Sequence, residues 1–388
     1  MMLMKKTKIR LRTTDAALIT LPWDLPLSDW RPDLFAPVVI GPSRNIVRFL
    51  DGDEGRYALK ELESGWADRE WRVLRRCADA GVPAVAPIGI IERADGRSIV
   101  ITRAVHGVDS YRELLTNDRS GDDLEPLLDA MALLLVELHR AGIYWGDASL
   151  ANTLLARDGD GMIALLVDGE TGEVHPSGLS DGQREQDLAL CVERVAHGLA
   201  DLAAAAGLEQ DARAISLAES IPTRYRAIWS ELTAETRVDA GDMHAVVSRV
   251  RTIEQLGFTV REINLRPDGE GVRLSVRTGR RRALSERLER LTGIRALEGQ
   301  ARVILDDLAI HRAWLSGLRG HEVGLDETGV HWRAERFEPA LAQLTGRAED
   351  PIQAYCEVIE YKWLASERAG HDIGLRAALD AWLARKPE

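Results

Sequence analysis

Apolar residues follow two different patterns along the chain. From residue 37 to residue 103 they form short, partly alternating runs bounded by Gly or Asp, a pattern typical of β-strands. These runs cover residues 37–40, 46–50, 56–62, 85–92 and 98–103. Between the third and fourth runs, residues 65–80 have helical spacing, with Ser64 as a candidate N-cap. Residues 1–36 are proline-containing and predict an irregular extension.

The second pattern is helical and dominates the rest of the chain. The clearest helix is predicted over 123–141, where leucines recur at the spacing of one buried face. Two short strands at 153–156 and 162–167, a loop at 170–182 and a helix over 184–205 follow. Beyond residue 207 helices dominate, interrupted by a β-hairpin at 258–265 and 271–276. The order predicts an α+β protein with a small β-rich lobe, an α-rich lobe and a mainly helical C-terminal domain.

The predicted domain boundaries follow from these changes in pattern. We expect an N-terminal extension at 1–36, a two-lobed domain at 37–220 and a helical C-terminal domain at 221–388.

Composition excludes several classes of protein. The 388 residues carry a net charge of −12, so general binding to nucleic acid or to an anionic membrane is not expected. The three cysteines are far apart, which excludes a disulfide scaffold and a cysteine-rich zinc site. No apolar run approaches the roughly 18 residues of a membrane helix, and the first residues lack the apolar segment of a secretion signal. We therefore expect a cytoplasmic protein without a membrane span.

One lysine stands out in a chain that uses arginine for nearly all its positive charge. Between Lys8 and Lys362 the only lysine is Lys60, on the strand predicted over 56–62. A lysine offers a compact ammonium on a flexible stem, which the planar guanidinium of arginine does not. On its own, Lys60 would be interpreted as a surface residue of the strand. A functional role for it depends on which other residues the sequence places near it.

The region after the 123–141 helix carries acids and an amide in loops. Asp147 and Asn152 lie in the loop, and Asp168 follows an apolar strand. Phosphoryl transfer uses such a set: one carboxylate orients a hydroxyl, while a second carboxylate and an amide oxygen hold Mg²⁺ on the phosphates of ATP. The less favoured interpretation is that Asp147, Asn152 and Asp168 are turn residues that cap backbone groups.

These residues together resemble the protein-kinase-like superfamily, especially its bacterial small-molecule and lipopolysaccharide kinase branches. Tyr57–Lys60 is similar to the V-A-I-K strand, Asp147 to Asn152 to the D-x-x-x-x-N loop, and Asp168 to the metal-binding Asp. The resemblance covers about residues 37–205 and implies a bilobal kinase-like fold. Residues 361–370 resemble the end of an uncharacterised C-terminal domain that follows such kinases in bacteria.

The resemblance also implies roles for further residues. Glu70 on the following helix is the best candidate to orient Lys60, although Glu63 and Asp68 compete with it. Asp187 would brace the catalytic loop, and His106 lies in the segment where adenine would dock. Lys60 would contact the phosphates, and Asp147, Lys60 and Glu70 would form the catalytic set.

Three features depart from the usual kinase pattern. Trp145 stands where the loop usually has histidine. The phosphate-covering turn is poor in glycine, so the side chains of Ser43 and Arg44 would replace backbone amides as phosphate ligands. Glu170 follows Asp168 in a D-x-E order, which adds a candidate metal ligand to Asn152 and Asp168.

The sequence favours an ATP- and Mg²⁺-dependent phosphotransferase that acts on a hydroxyl of a small molecule, a sugar or a lipid-linked glycan. The alternative is a pseudokinase that binds nucleotide, or nothing, and serves as a scaffold or regulator. A weaker hypothesis concerns the cluster of Arg277, Arg280, Arg281 and Arg282. It lies in residues 249–319, which contain fifteen arginines and nine acidic residues. This cluster could bind a phosphorylated ligand or protein, or it could be a solvated face that pairs with acids of the same chain.

Overall fold

The computed structural model describes residues 7–37, 45–105, 108–111, 124–205, 211–239, 241–269 and 271–384. The chain forms two compact units. The first comprises Met1–Leu155 and Ala164–Tyr225, and the second comprises Ala156–Ile163 and Arg226–Glu388. The mixture of helices and strands confirms the predicted α+β class, with a β-rich N-terminal region.

A five-stranded antiparallel sheet begins the first unit. Its strands run in the spatial order β1-β4-β5-β3-β2. They are β1 (Lys8–Leu11), β2 (Ile46–Gly52), β3 (Gly55–Glu63), β4 (Pro87–Glu92) and β5 (Arg97–Arg103). The N-terminal extension is therefore not irregular throughout, because its residues 8–11 form the edge strand β1 on β4 and Ala16–Ile19 form the short helix α1. This short strand has no buried residue, so the apolar pattern could not reveal it.

The two faces of β3 serve different purposes. Tyr57 and Leu59 are fully buried in an apolar cluster with Trp23 and Trp30 of the N-terminal segment. Successive residues of a strand point to opposite faces, so Lys60 lies on the other face of the sheet. Its register partners on the neighbouring strands are Val47 and Val100.

Helix α2 (Ser64–Ala80) follows β3 directly and packs on β3, β4 and β5. It matches the predicted helix over 65–80 and ends at Gly81, whose φ of 75° suits glycine. The predicted N-cap is wrong: the cap position is Glu63, and the Ser64 hydroxyl donates to the carbonyl of Gly96 instead. The buried face of α2 includes Glu70 and Trp71.

The rest of the first unit is mostly helical, as the sequence predicted. Helix α3 (Leu124–Arg140) buries its leucine face. A three-stranded sheet of order β6-β8-β9 contains β6 (Asp109–Ser110), β8 (Thr153–Asp158) and β9 (Gly161–Leu166). A two-stranded sheet pairs β7 (Ile143–Tyr144) with β10 (Glu173–Val174). Helices α4 (Asp181–Ala205) and α5 (Asp211–Glu219) follow, and α6 (Ile221–Thr233) continues from the first unit into the second.

The second unit has a helical core and one small sheet. The sheet has the order β11-β13-β12. In chain order, the elements of the second unit are β11 (Thr236–Asp239), α7 (Met243–Gln255), β12 (Phe258–Asp268), β13 (Gly271–Arg281), α8 (Ala283–Thr292), α9 (Glu298–Arg319), α10 (Leu325–Trp332), a π-helical turn (Arg333–Phe337), α11 (Glu338–Leu344), α12 (Pro351–Ala369) and α13 (Leu375–Ala384). Its core centres on Trp332, Phe337 and Tyr355. Among the described residues, no helix combines the length and the apolar character needed to cross a membrane.

The tip of the β8–β9 hairpin belongs to the second unit. The backbone N–H and carbonyl of Gly159 bond to the Gln353 side chain at 3.0 and 2.9 Å. The backbone N–H of Gln300 donates to Asp158 at 2.8 Å. These groups are buried, so side-chain amides satisfy a turn that water does not reach.

The arginine cluster lies at the end of β13 and just after it. Arg277 pairs with Glu262 on β12 at 3.1 Å, Arg281 donates to the carbonyl of Leu256, and Arg282 pairs with Glu286. These contacts occupy arginines within the second unit. Binding of a phosphorylated ligand or protein by the cluster stays a prediction.

Candidate active site

Lys60 lies at the centre of an acidic cluster. Its Nζ atom is 2.7 Å from Asp168, 2.9 Å from Glu170 and 3.1 Å from Glu70. Strand β3 supplies the lysine, α2 supplies Glu70, and the segment after β9 supplies the other two acids. The structure therefore brings together four residues that the sequence singled out over more than a hundred positions.

The charges of the cluster act strongly on one another. Burial alone would lower the pKa of Lys60, but the negative charges of Glu70 and Asp168 outweigh burial and hold that pKa above its ordinary value. Burial raises the pKa of Glu70, and although Lys60 opposes the increase, Asp168 and Glu170 add to it. One ammonium facing three carboxylates leaves negative charge uncompensated, which favours a further cation.

Close packing fixes the segment that carries Asp168 and Glu170. The amide N–H of Glu170 donates to the Asp168 carboxylate at 3.1 Å. A Cβ on Gly169 would come within 2.9 Å of the Val73 side chain on α2, so only glycine permits this approach to the helix. Asn45, next to β2, donates to Glu170 at 2.9 Å.

Asp147 and Asn152 hold each other across the loop that precedes β8. The Asn152 amide nitrogen donates to the Asp147 carboxylate at 3.0 Å and to its backbone carbonyl at 3.1 Å. Because the nitrogen faces Asp147, the amide oxygen of Asn152 remains as an acceptor. The backbone carbonyl of Asn152 accepts from the N–H of Val167, which places Asn152 beside the residue that precedes Asp168.

Helix α4 braces this loop through Asp187. The fully buried carboxylate accepts from the backbone N–H groups of Trp145 at 2.7 Å and Gly146 at 2.9 Å. His139 at the end of α3 lies 3.0 Å from the same carboxylate and is buried. The indole of Trp145 is buried and donates to the carbonyl of Asp168 at 3.2 Å.

The glycine before Asp147 explains the sharp turn of the loop. Gly146 has a φ of 77°, which non-glycine residues rarely adopt. A Cβ at this position would also lie 3.0 Å from the carbonyl of Thr171. Glycine therefore suits this point of the loop, and the side chain of Asp147 that follows is partly exposed.

Three predicted cofactor contacts, Ser43, Arg44 and His106, lie outside the described residues. Two residues of the site were missed by the sequence reasoning. Asn45 ends the glycine-poor turn and gave no separate signal. Arg194 on α4 pairs with Asp147 at 3.3 Å, and only its helical distance of seven residues from Asp187 could have indicated this position.

The residues present fit a divalent cation. Ligand atoms of Glu70, Asp168 and Glu170 lie within 4.8 Å of one another, and carboxylate and amide oxygens are the ligands that Mg²⁺ prefers. Asp168 and Glu170, with the amide oxygen of Asn152, would hold the metal.

Comparisons with known proteins agree with this description of the two parts of the chain. Residues 227–386 match the family model described as a domain of unknown function (DUF4032). No curated protein matches the chain. A solved structure titled "WaaP in complex with acyl carrier protein" is 18 % identical, covers 57 % of this chain and 90 % of its own, and superposes with a TM-score of 0.37. Residues 54–197 match the model of the lipopolysaccharide kinase (Kdo/WaaP) family, which confirms the resemblance that the motifs indicated.

Proposed function

We propose that the first unit is an ATP- and Mg²⁺-dependent phosphotransferase that phosphorylates a hydroxyl group of a small molecule, a sugar or a lipid-linked glycan. The observation that carries the proposal is the contact of Lys60 Nζ with both Glu70 and Asp168. It is supported by the lipopolysaccharide kinase family match over 54–197. A cytoplasmic location and the domain limits 37–220 and 221–388 are parts of the same proposal.

Each residue of the site has a distinct role in this proposal. Lys60, oriented by Glu70, contacts the α- and β-phosphates of ATP. Asp147 orients the acceptor hydroxyl and receives its proton as the new oxygen–phosphorus bond forms. Asp168, Glu170 and Asn152 bind the metal, which when present neutralises charge on the phosphates. Asp187 keeps the loop in place, and Ser43, Arg44 and His106 are proposed nucleotide contacts.

Binding and turnover of the full-length protein test this function. We expect Mg²⁺-dependent binding of ATP by calorimetry, followed by slow hydrolysis in the absence of an acceptor. Lys60→Met should weaken ATP binding at least about tenfold and Asp147→Asn should reduce hydrolysis by about a hundredfold or more with binding retained, as for positioned groups in other phosphotransferases.

Lys8→Met is the matched control for the lysine, because Lys8 lies in the same sheet but is exposed and pairs with Glu92. It should leave binding and hydrolysis unchanged. If the wild-type protein binds no nucleotide, or if both site variants keep full hydrolysis, the phosphotransferase assignment is wrong. Metal-independent nucleotide binding without hydrolysis would indicate the pseudokinase alternative.

A further inference from the structure

Arg194 makes an ion pair with Asp147, the proposed acceptor-orienting residue. Its Nε atom lies 3.3 Å from Asp147 Oδ1, while the other carboxylate oxygen of Asp147 accepts from Asn152. The Arg194 side chain is 51 % exposed and that of Asp147 is 35 % exposed. A permanent cation therefore stands at the open side of the carboxylate, where an acceptor hydroxyl would approach.

The helix that carries Arg194 also fixes the loop that carries Asp147. Asp187 and Arg194 are seven residues apart on α4, so they lie on the same face of the helix. Asp187 holds the backbone of Trp145 and Gly146, and Arg194 holds the side chain of the next residue. The position of the guanidinium relative to the loop is thus set by a buried anchor two turns away.

Most of the hydrogen-bonding capacity of Arg194 is unused. A guanidinium has five N–H donors, and the contact with Asp147 uses Nε alone. Within the described parts of the chain, the guanidinium forms no second ion pair. The two Nη groups have the geometry to bind a pair of phosphate oxygens.

The rest of the site supplies little positive charge near Asp147. The loop from Asp147 to Asn152 contains no basic residue, and Lys60 is surrounded by acids. A phosphoryl group in transfer spreads negative charge over its equatorial oxygens, and an arginine supplied beside it increases turnover strongly in other phosphotransferases.

We propose that Arg194 binds the transferring phosphoryl group and stabilises its charge during the reaction; this inference rests on the proposed function. The bond between the acceptor oxygen and the γ-phosphorus forms, and the bond from that phosphorus to the bridging oxygen breaks. ADP leaves with the electron pair, and the hydroxyl proton passes to Asp147. Arg194 stays protonated throughout and is not consumed.

A transition-state analogue separates this role from ground-state binding. The probe is MgADP with and without aluminium fluoride, whose planar or octahedral anion occupies the place of the transferring phosphoryl group. Calorimetry on the full-length protein should show tighter ADP binding when aluminium fluoride is added. Arg194→Gln should reduce that gain roughly ten- to hundredfold, the loss expected for charged hydrogen bonds, and leave the affinity for MgADP alone and the melting temperature unchanged.

Two further variants complete the test. Arg194→Lys should restore part of the gain, because it keeps the charge but not the two-pronged geometry. Arg213→Gln on the exposed surface of α5 should behave as wild type. An undiminished gain in Arg194→Gln, or no gain in a wild-type protein that binds MgADP, would refute the role of Arg194 alone. A wild-type protein that binds no nucleotide with Mg²⁺ would refute the proposed function as well.

Discussion

Asp187 shows how much of the site depends on one buried carboxylate. It is 0 % exposed, and it accepts two backbone N–H groups of the loop and lies against His139. Removing a partner from buried donors leaves them without the water that would replace it, at a cost of about 1–3 kcal/mol for each group. The geometry of Asp147 therefore depends on a residue that makes no contact with the reacting groups.

For Asp187→Asn we expect a loss of about 2–4 kcal/mol of stability. The amide has only one acceptor oxygen, and its NH₂ group would face a backbone N–H donor of the loop. ATP hydrolysis should also fall, since the loop loses its anchor. Chemical denaturation and steady-state hydrolysis measure the two effects. Asp181→Asn on the same helix, at a side chain that is 94 % exposed, should change stability by less than about 0.5 kcal/mol. Equal effects of the two variants would contradict the anchoring role.

Single residues were predictable where composition or a known spacing marked them. Lys60 was visible because it is the only lysine over a long stretch, and Asp147 and Asn152 because their spacing matches a motif. Arg194 could not be predicted as a site residue because it is one of many arginines. Its contact with Asp147 depends on the helix face that it shares with Asp187. Asn45 likewise acquires its contact with Glu170 only when the chain folds.

At the scale of elements, α9 and α10 meet through a pair of histidines. His311 Nε2 lies 3.0 Å from His331 Nδ1, and the Trp314 ring lies near both imidazoles at a tilt. Burial lowers the pKa of His311, and the positive charge of Arg336 adds to the decrease. The opposing effect of Asp307 is smaller, so the folded second unit favours neutral His311.

The lowered pKa of His311 determines the direction in which stability changes with pH. The unfolded chain protonates His311 near its ordinary pKa of 6.5, whereas the folded chain resists protonation until lower pH. Stability should therefore decrease as the pH falls from about 7 to about 5. His311→Gln should reduce that slope in thermal melts, and His321→Gln, at an exposed position of the same unit, should keep it. A slope that is identical in wild type and His311→Gln would exclude this residue as its source.

Whole elements were predicted best where they bury a long face. Helix α2 begins and ends within about two residues of its predicted limits, and α3 ends one residue before its predicted end, because each has a continuous apolar stripe and a glycine after its end. The hairpin β12–β13 extends several residues past its predicted ends, because its outer part is exposed and carries charged cross-strand pairs such as Glu262 with Arg277. Strand β11 was missed for the same reason, since only Val238 is buried.

At the scale of the whole molecule, the chain passes between the two units more than once. Residues 156–163 belong to the second unit, although the residues on both sides of them belong to the first. The sequence pattern gave a hairpin at this position but no sign of its partners, because Gln300 and Gln353 come more than a hundred residues later.

The hairpin tip should depend on the C-terminal part of the chain for its protection. In Gln353→Ala, the buried N–H and carbonyl of Gly159 lose the side-chain amide that pairs with both. We expect a loss of about 2–5 kcal/mol, from two unpaired buried groups at about 1–3 kcal/mol each, and faster amide exchange in the peptide covering 156–163. Gln343→Ala, at an exposed side chain on α11, is the matched control.

A chain truncated after residue 225 should show the same rapid exchange, because it lacks both Gln300 and Gln353. If hydrogen exchange found the tip as well protected in the truncated chain and in Gln353→Ala as it is in the wild type, its protection would not depend on Gln353 or on the C-terminal part of the chain.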